Sequence, residues 1–180
     1  MKILIIATPR SGSTTLTHTL GKLYDIRVYR EPFRKEYKGI KYNPEQDHVL
    51  KVMVDQIDTS TFNFSIFDYI IYLTRKNLIE ASQSFDYQLE HNLNNPSAWY
   101  QPYILNKSSK PTSSYSFLKK NSDKIKKIAN FTVYYEELYS RDKKLVLNIF
   151  NKIGLSKNFD TFFSLLNSSE RYRRYKKDII

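Results

Sequence analysis

The feature that most constrains this chain is an apolar run that begins almost at the first residue and leads into a loop of small polar residues. Ile3 to Ala7 is continuously apolar, and Thr8-Pro9-Arg10-Ser11-Gly12-Ser13 follows it directly. An unbroken apolar run of this length is typical of a strand buried on both faces of a parallel sheet. Leu16, Leu20 and Leu23 then recur at the spacing of one helical face. The N-terminal segment is therefore predicted to form a strand, a tight loop and a helix.

Strand-like and helix-like segments alternate along the rest of the chain. Further strands are predicted at about 26–29, 49–54, 69–73 and 131–135, and helices at about 78–89, 116–128, 137–153 and 159–175. Such alternation implies a parallel sheet with helices on both faces, hence an α/β fold. The 180 residues fit one domain spanning 1–180. The segment 92–114 is rich in Asn and Pro and is predicted to be irregular.

Composition excludes some classes of function but does not identify one. Lys and Arg total 29 against 18 Asp and Glu, which gives a net charge of +11 at pH 7. This excess favours an anionic partner, such as nucleic acid, an acidic membrane face, a phosphorylated cofactor or an anionic substrate. Cysteine is absent, which excludes disulfides, Cys-ligated metal and thiol catalysis. No apolar run reaches the roughly 7–15 residues of a signal peptide core or the ~18 residues of a membrane span, so we expect a soluble, cytoplasmic protein.

The loop after the first strand has the chemistry of an anion site. Gly12 can adopt a backbone conformation that lets successive N–H groups converge at a helix N-terminus. Arg10 adds a fixed cation, and hydroxyl donors follow at Ser11, Ser13, Thr14 and Thr15. The second glycine and the lysine of a Walker A motif are missing, which argues against a nucleotide or metabolite kinase. The simpler interpretation is that these hydroxyl residues only cap the helix.

The segment Pro9-Arg10-Ser11-Gly12-Ser13-Thr14-Thr15 resembles the 5′-phosphosulfate loop of the sulfotransferase superfamily, whose donor is 3′-phosphoadenosine 5′-phosphosulfate (PAPS). The resemblance implies a three-layer α/β/α fold like that of the P-loop NTPases, with a central, mainly parallel sheet of about five strands. It also implies PAPS as donor, 3′,5′-adenosine bisphosphate (PAP) as product, and no metal. The backbone and hydroxyls of residues 11–15 would hold the 5′-phosphate. Arg10 would lie near the bridging oxygen of the breaking bond, where a cation stabilises developing charge.

A second segment resembles the family's 3′-phosphate element, which is a strand that ends in Arg and a helix that bears a Ser. Arg75 follows the strand predicted at 69–73, and Ser84 lies in the next helix. An arginine, a helix N-terminus and a hydroxyl together can hold a terminal phosphate. The spacing is one residue longer than in many members of the family, so Lys76 and Ser82 are alternatives. The simpler interpretation is solvated charge after the strand.

Sulfuryl transfer to a hydroxyl or amine requires a base near the incoming nucleophile. Glu31-Pro32-Phe33 resembles a segment of carbohydrate-directed and bacterial sulfotransferases in which the Glu serves as base, so Glu31 is the predicted base. His48 is the alternative, because members of the phenol and steroid type use a histidine. Glu31 as a surface carboxylate paired with Arg30 or Arg34 is the simpler interpretation.

Two further residues stand out. Lys51 interrupts the apolar strand predicted at 49–54, where an unpaired ammonium group would be costly. Because bacterial members have similar strands, we hypothesise that Lys51 neutralises the transferring sulfonate or the acceptor; the alternative is that it extends into solvent from an edge strand. Tyr135-Glu136-Glu137-Leu138 resembles the family's Tyr-Glu-Asp-Leu element, which implies a place for Tyr135 in the adenine pocket. Structural packing of that ring is the alternative.

The C-terminus departs from the family pattern. The Arg-Lys-Gly tripeptide that closes over the 3′-phosphate in many members is missing, and the arginines available instead are Arg171, Arg173 and Arg174. The segment 92–114, with Trp99, is the candidate lid or acceptor wall. The resemblance predicts transfer from PAPS to a hydroxyl or amine of a carbohydrate or another small polar acceptor. The alternatives are a kinase and a basic nucleic-acid module, and no nucleic-acid partner is expected because no RNA-binding motif is present.

Overall fold

The computed structural model describes residues 1–33, 41–92, 112–140, 142–155 and 158–168. The chain begins with β1 (Lys2–Ala7), α1 (Ser13–Tyr24), β2 (Arg27–Arg30), β3 (His48–Met53), β4 (Tyr69–Thr74) and α2 (Leu78–Asn92). It continues with α3 (Tyr115–Lys126), β5 (Phe131–Tyr134), α4 (Tyr135–Leu138), α5 (Lys143–Ile153) and α6 (Phe159–Ser168).

Within these residues the strands form one five-stranded sheet in the order β2-β3-β1-β4-β5. Every ladder is parallel. β1 lies at the centre and pairs with β3 on one side and β4 on the other. Its apolar residues Ile3 to Ala7 are 0% exposed, as the continuous apolar run predicts. The predicted α/β fold with a parallel sheet of about five strands is confirmed.

The sheet separates two apolar cores, because alternate side chains of each strand point to opposite faces. Ile3 and Ile5 pack with residues of α1, α5 and α6 on one face. Leu4 and Ile6 pack with residues of α2 and α3 on the other. The predicted three-layer arrangement therefore follows from the strand pattern itself.

The helix predicted at 137–153 is wrong as a single element. The structure has the short helix α4 and then α5, which begins after Asp142. The Asp142 carboxylate accepts hydrogen bonds from the amides of Lys144 (2.9 Å) and Leu145 (3.1 Å) and so caps the second helix. Because a capping residue favours the start of a new helix at that position, α4 and α5 are separate helices. The predicted helix at 159–175 extends past residue 168, and that part lies outside the described residues.

In the described part of the chain, no helix combines the length and the apolar character needed to cross a membrane.

Candidate active site

The loop between β1 and α1 has two left-handed residues. Arg10 (φ 65°) and Gly12 (φ 73°) have positive φ angles, and Ser11 between them does not. Anion-binding nests combine left-handed residues with right-handed neighbours, so that successive backbone N–H groups turn toward one side. The Ser11 hydroxyl donates to the Thr8 carbonyl (2.8 Å) and closes the loop from within. This loop with two left-handed residues leads from β1 directly into the N-terminus of α1.

The start of α1 does not fit the simpler interpretation as a capped helix. Its N-cap residue is Gly12, which has no side chain that could accept a hydrogen bond from the first turn. The Thr17 hydroxyl bonds within the helix, to the Ser13 carbonyl (2.6 Å). The Thr15 amide donates to the Gly12 carbonyl (3.1 Å), and the positive end of the helix dipole favours an anion at this terminus.

Arg10 joins the loop to the predicted 3′-phosphate element. Its Nε lies 3.3 Å from the Ser84 Oγ, and its carbonyl accepts a hydrogen bond from the Arg75 Nε (3.1 Å). Arg75 also forms an ion pair with Glu80 at 3.9 Å. Arg75 directly follows β4, and Glu80 and Ser84 lie on α2. All three therefore follow the carboxyl end of β4, which pairs with β1. The two segments that the sequence assigns to the two phosphates are therefore in direct contact.

The alternatives for this element have other partners. The Lys76 amide donates to Glu136 (3.0 Å), and its ammonium group pairs with Glu137 (2.8 Å). The hydrogen bond with Glu137 raises the pKa of Lys76 above its ordinary value. The Ser82 hydroxyl donates to the Ile79 carbonyl one turn back in its own helix (2.8 Å). These contacts favour Arg75 and Ser84 over Lys76 and Ser82.

Glu31 and Lys51 form an ion pair beside the loop. Glu31 follows the last residue of β2, and its amide donates to the Lys51 carbonyl (2.7 Å). The Lys51 side chain is 6% exposed and that of Glu31 12%, so solvent does not satisfy either charge. Gln56 donates to the second Glu31 oxygen (3.1 Å) and accepts from the Met53 amide (3.0 Å). The carboxylate is held by contacts on both oxygens.

Lys51 does not extend into solvent from an edge strand. β3 lies between β2 and β1, and Lys51 shares a sheet face with Val49 and Met53, on the side of α1. Its ammonium group also lies 3.5 Å from the Thr14 hydroxyl. Glu31 is thus a mostly buried carboxylate in contact with Lys51, not a solvated one. Lys51 thus links the predicted base to the first turn of α1.

Tyr135 lies against Arg75 on the other side of the loop. The Arg75 guanidinium carbon is 4.8 Å from the centre of the Tyr135 ring, a cation–π contact. The ring is mostly buried and contacts Tyr139 with a centroid distance of 4.9 Å. Both predictions for Tyr135, packing and proximity to the cofactor element, are consistent with this position.

His48 lies at the wrong end of its strand for a base. It is the first residue of β3, whereas Glu31 and the phosphate loop follow the carboxyl ends of β2 and β1. Its Nδ1 lies 2.6 Å from the Gln46 carbonyl, which can only accept, so Nδ1 carries the proton. Its Nε2 accepts from the Tyr42 hydroxyl (3.1 Å). The buried imidazole is therefore part of the core at the amino edge of the sheet.

Sequence reasoning missed Tyr139 and Gln56. The Tyr139 hydroxyl donates to the Gly12 carbonyl (2.6 Å). The four-residue spacing from Tyr135 placed Tyr139 on the same helical face and was an available signal. Gln56 had none, because its role depends on the turn that follows β3. The candidate lid residues 93–111 and the arginines 171, 173 and 174 lie outside the described residues.

No family model matches the chain, and no curated protein matches it either. Among solved structures, the crystal structure of mouse sulfotransferase SULT7A1 complexed with PAP is similar, with a TM-score of 0.52 and 17% sequence identity. The similarity covers 93% of this chain and 63% of that chain, so this chain spans less than two thirds of the length of the mouse protein. Its parallel sheet, its flanking helices and this overall similarity together show that the chain has the sulfotransferase fold.

Proposed function

We propose that the protein transfers the sulfuryl group of PAPS to a hydroxyl or amine of a small polar acceptor, with a carbohydrate as the favoured class. The observation that carries the proposal is the contact of Arg10 with both Arg75 and Ser84. PAPS has a phosphosulfate at one end and a 3′-phosphate at the other, so its binding requires two anion sites at a fixed separation. The contact brings two such candidate sites together at one edge of the sheet.

The loop supplies the first anion site. Backbone amides of residues 11–14 and the dipole of α1 attract the 5′-phosphate, and the left-handed residues Arg10 and Gly12 shape the loop that carries these amides. Arg10 remains protonated and stabilises charge on the leaving phosphate by charge-assisted hydrogen bonding. Arg75 and Ser84 supply the second site, for the 3′-phosphate.

Glu31 is proposed as the general base. Its carboxylate removes the proton from the acceptor as the acceptor oxygen or nitrogen forms a bond to sulfur. The bond between sulfur and the bridging oxygen breaks in the same displacement, and PAP leaves with the electron pair of that bond. Lys51 and Gln56 contact the two oxygens of Glu31 and so fix the orientation of the carboxylate. Lys51, next to Thr14, also places a cation on the side where the sulfonate lies.

Isothermal titration with PAP and with ATP·Mg²⁺ tests the proposal. We expect PAP to bind and ATP·Mg²⁺ to bind far more weakly, and we expect transfer of radiolabelled sulfate from PAPS to a carbohydrate in an acceptor panel. Arg10→Ala should lose PAP binding and transfer. Arg27→Ala, which removes an exposed arginine at the amino end of β2, is the matched control for charge and should retain both. Preference for ATP·Mg²⁺, or tight salt-dependent RNA binding with no response to PAP, would overturn the proposal.

A further inference from the structure

We propose that Tyr139 is a positioning residue that sets the orientation of the Ser13 amide in the phosphate loop. Arg75 acts in the same way on the Ser11 amide, through the Arg10 carbonyl. The inference rests on the proposed function for the identity of the anion, the 5′-phosphate of PAP or PAPS. Its geometric part, that Tyr139 orients the loop amides, does not depend on which anion binds.

Tyr139 contacts Gly12 in two ways. Its hydroxyl donates to the Gly12 carbonyl (2.6 Å), and that side chain is 1% exposed. Its ring lies so close to Gly12 that a Cβ placed there would be 2.5 Å from the Tyr139 Cε2. The Gly12 carbonyl also accepts from the Thr15 amide (3.1 Å) and the Leu16 amide (3.4 Å), so the Tyr139 hydroxyl is a further donor that holds the direction of this carbonyl while the ring limits the position of the Gly12 backbone.

The carbonyl direction determines where the next amide points. In a trans peptide plane the C=O of one residue and the N–H of the following residue point in opposite directions. The Tyr139 bond to the Gly12 carbonyl therefore orients the Ser13 N–H, and the Arg75 bond to the Arg10 carbonyl orients the Ser11 N–H. Both of these amides belong to the segment proposed to hold the 5′-phosphate.

The two groups that orient these amides are also joined to each other. Tyr135 contacts the Tyr139 ring on one side and the Arg75 guanidinium on the other. Tyr139 lies one helical turn after Tyr135, and its amide donates to the Tyr135 carbonyl (3.0 Å). The element after β5 thus supports the loop after β1 although the two are far apart in the sequence. A hydroxyl at position 139 has a specific task in this arrangement, which an apolar side chain could not perform.

The variant Tyr139→Phe keeps the ring and removes the hydroxyl. We expect it to bind PAP about fivefold more weakly than the wild type, the factor that corresponds to one net hydrogen bond. Adenosine 3′-monophosphate lacks the 5′-phosphate, and its affinity should not change. Tyr24→Phe is the matched control, because Tyr24 also donates from its hydroxyl to a backbone carbonyl, that of Leu155 (3.4 Å), away from the loop. It should leave both affinities as they are.

Amide hydrogen exchange in the absence of nucleotide tests the geometric part separately. Exchange at Ser11 to Thr15 should be faster in Tyr139→Phe than in the wild type and in Tyr24→Phe, with the core strands unaffected. Equal exchange in the three proteins, or an equal loss of affinity for PAP and adenosine 3′-monophosphate, would overturn the inference. A wild type that binds neither nucleotide would refute the proposed function, and the exchange result would still decide the role of Tyr139 in the loop.

Discussion

At the scale of single residues, backbone strain coincides with the predicted chemistry. The non-glycine residues with positive φ in the described part of the chain are Arg10, Asp25, Glu31 and Asn158. Asp25 ends α1, a position where left-handed residues are common. Arg10 and Glu31 are the predicted catalytic cation and base, and neither ends a helix. Such strain costs about 1–2 kcal/mol per residue and persists where surrounding contacts impose it. Its presence at these two positions supports their assignment.

Gly12→Ala should lower the stability of the protein by more than the backbone strain of a left-handed alanine accounts for. A left-handed alanine costs about 1–2 kcal/mol, and at Gly12 the new Cβ also meets the Tyr139 ring. Gly154→Ala is the matched control, because Gly154 has φ 78° and no atom within 4 Å of the added Cβ. We expect urea denaturation to show a larger loss of stability for Gly12→Ala than for Gly154→Ala. Equal losses would show that Tyr139 gives way to the added methyl group.

The contribution of the Glu31–Lys51 pair to stability can be separated from its contribution to transfer activity. Either Glu31→Gln or Lys51→Met leaves one buried charge without its partner and should lower the free energy of unfolding by about 3–5 kcal/mol. The double variant removes both charges and should recover most of that stability in urea denaturation. Transfer activity should fall about 10²–10⁴-fold in Glu31→Gln and stay low in the double variant, because the base is missing in both.

Two results would contradict this prediction. Full transfer activity in Glu31→Gln would exclude Glu31 as the base. A double variant as unstable as Lys51→Met would show that the two charges do not depend on each other. PAP titration of the same proteins is the control, since the loop and Arg75 are unchanged and should still bind the nucleotide.

At the scale of secondary-structure elements, strands were more predictable than the divisions between helices. Buried strands require continuous apolar residues, and that pattern is local, so β1 and β4 were placed within one residue. The division between α4 and α5 depends on the Asp142 side chain, which competes with helix continuation. The contacts of Tyr139 with Gly12 and of Gln56 with Glu31 join distant segments of sequence. Motifs located the chemical groups, but only the folded backbone shows which groups meet.

The cap of α5 provides a test at this scale. Asp142→Ala removes the acceptor for the Lys144 and Leu145 amides and should lower the free energy of unfolding by about 1 kcal/mol in a thermal or urea melt. Asp142→Asn is the control, because asparagine is an equally good cap and should preserve stability. PAP affinity should be the same in all three proteins, since α5 begins after the segment that contacts the loop. A stable Asp142→Ala would mean that packing alone starts this helix.

At the scale of the whole molecule, the excess of positive charge is only partly explained by the site. Arg10, Lys51 and Arg75 surround the loop. Many other cations are exposed, and on and after α3 they are Lys119, Lys120, Lys124, Lys126 and Lys127. Lys119 forms an ion pair with Asp123 (3.0 Å). Surface charge of this kind affects solubility and long-range attraction of anions more than it affects the fold.

Stability of the whole molecule should decrease in mild acid. Burial lowers the pKa of His48 below its ordinary value of 6.5. The unfolded chain therefore binds a proton at a pH where the folded protein does not, so stability is lost as the pH falls from about 6.5 toward the folded pKa. Urea titrations between pH 5 and 8 should show this loss, and His48→Phe should reduce it.

The central position of β1 has a consequence for synthesis in the cell. β1 is synthesised before both of its neighbours in the sheet, which begin at His48 and Tyr69. At roughly 5–20 residues per second, the wait for both partners lasts several seconds. During that time the apolar residues Ile3 to Ala7 lack both of their partner strands in the sheet. The strand that leads into the loop before α1 is thus made well before the two strands that enclose it, and chaperone binding to the nascent chain would matter most there.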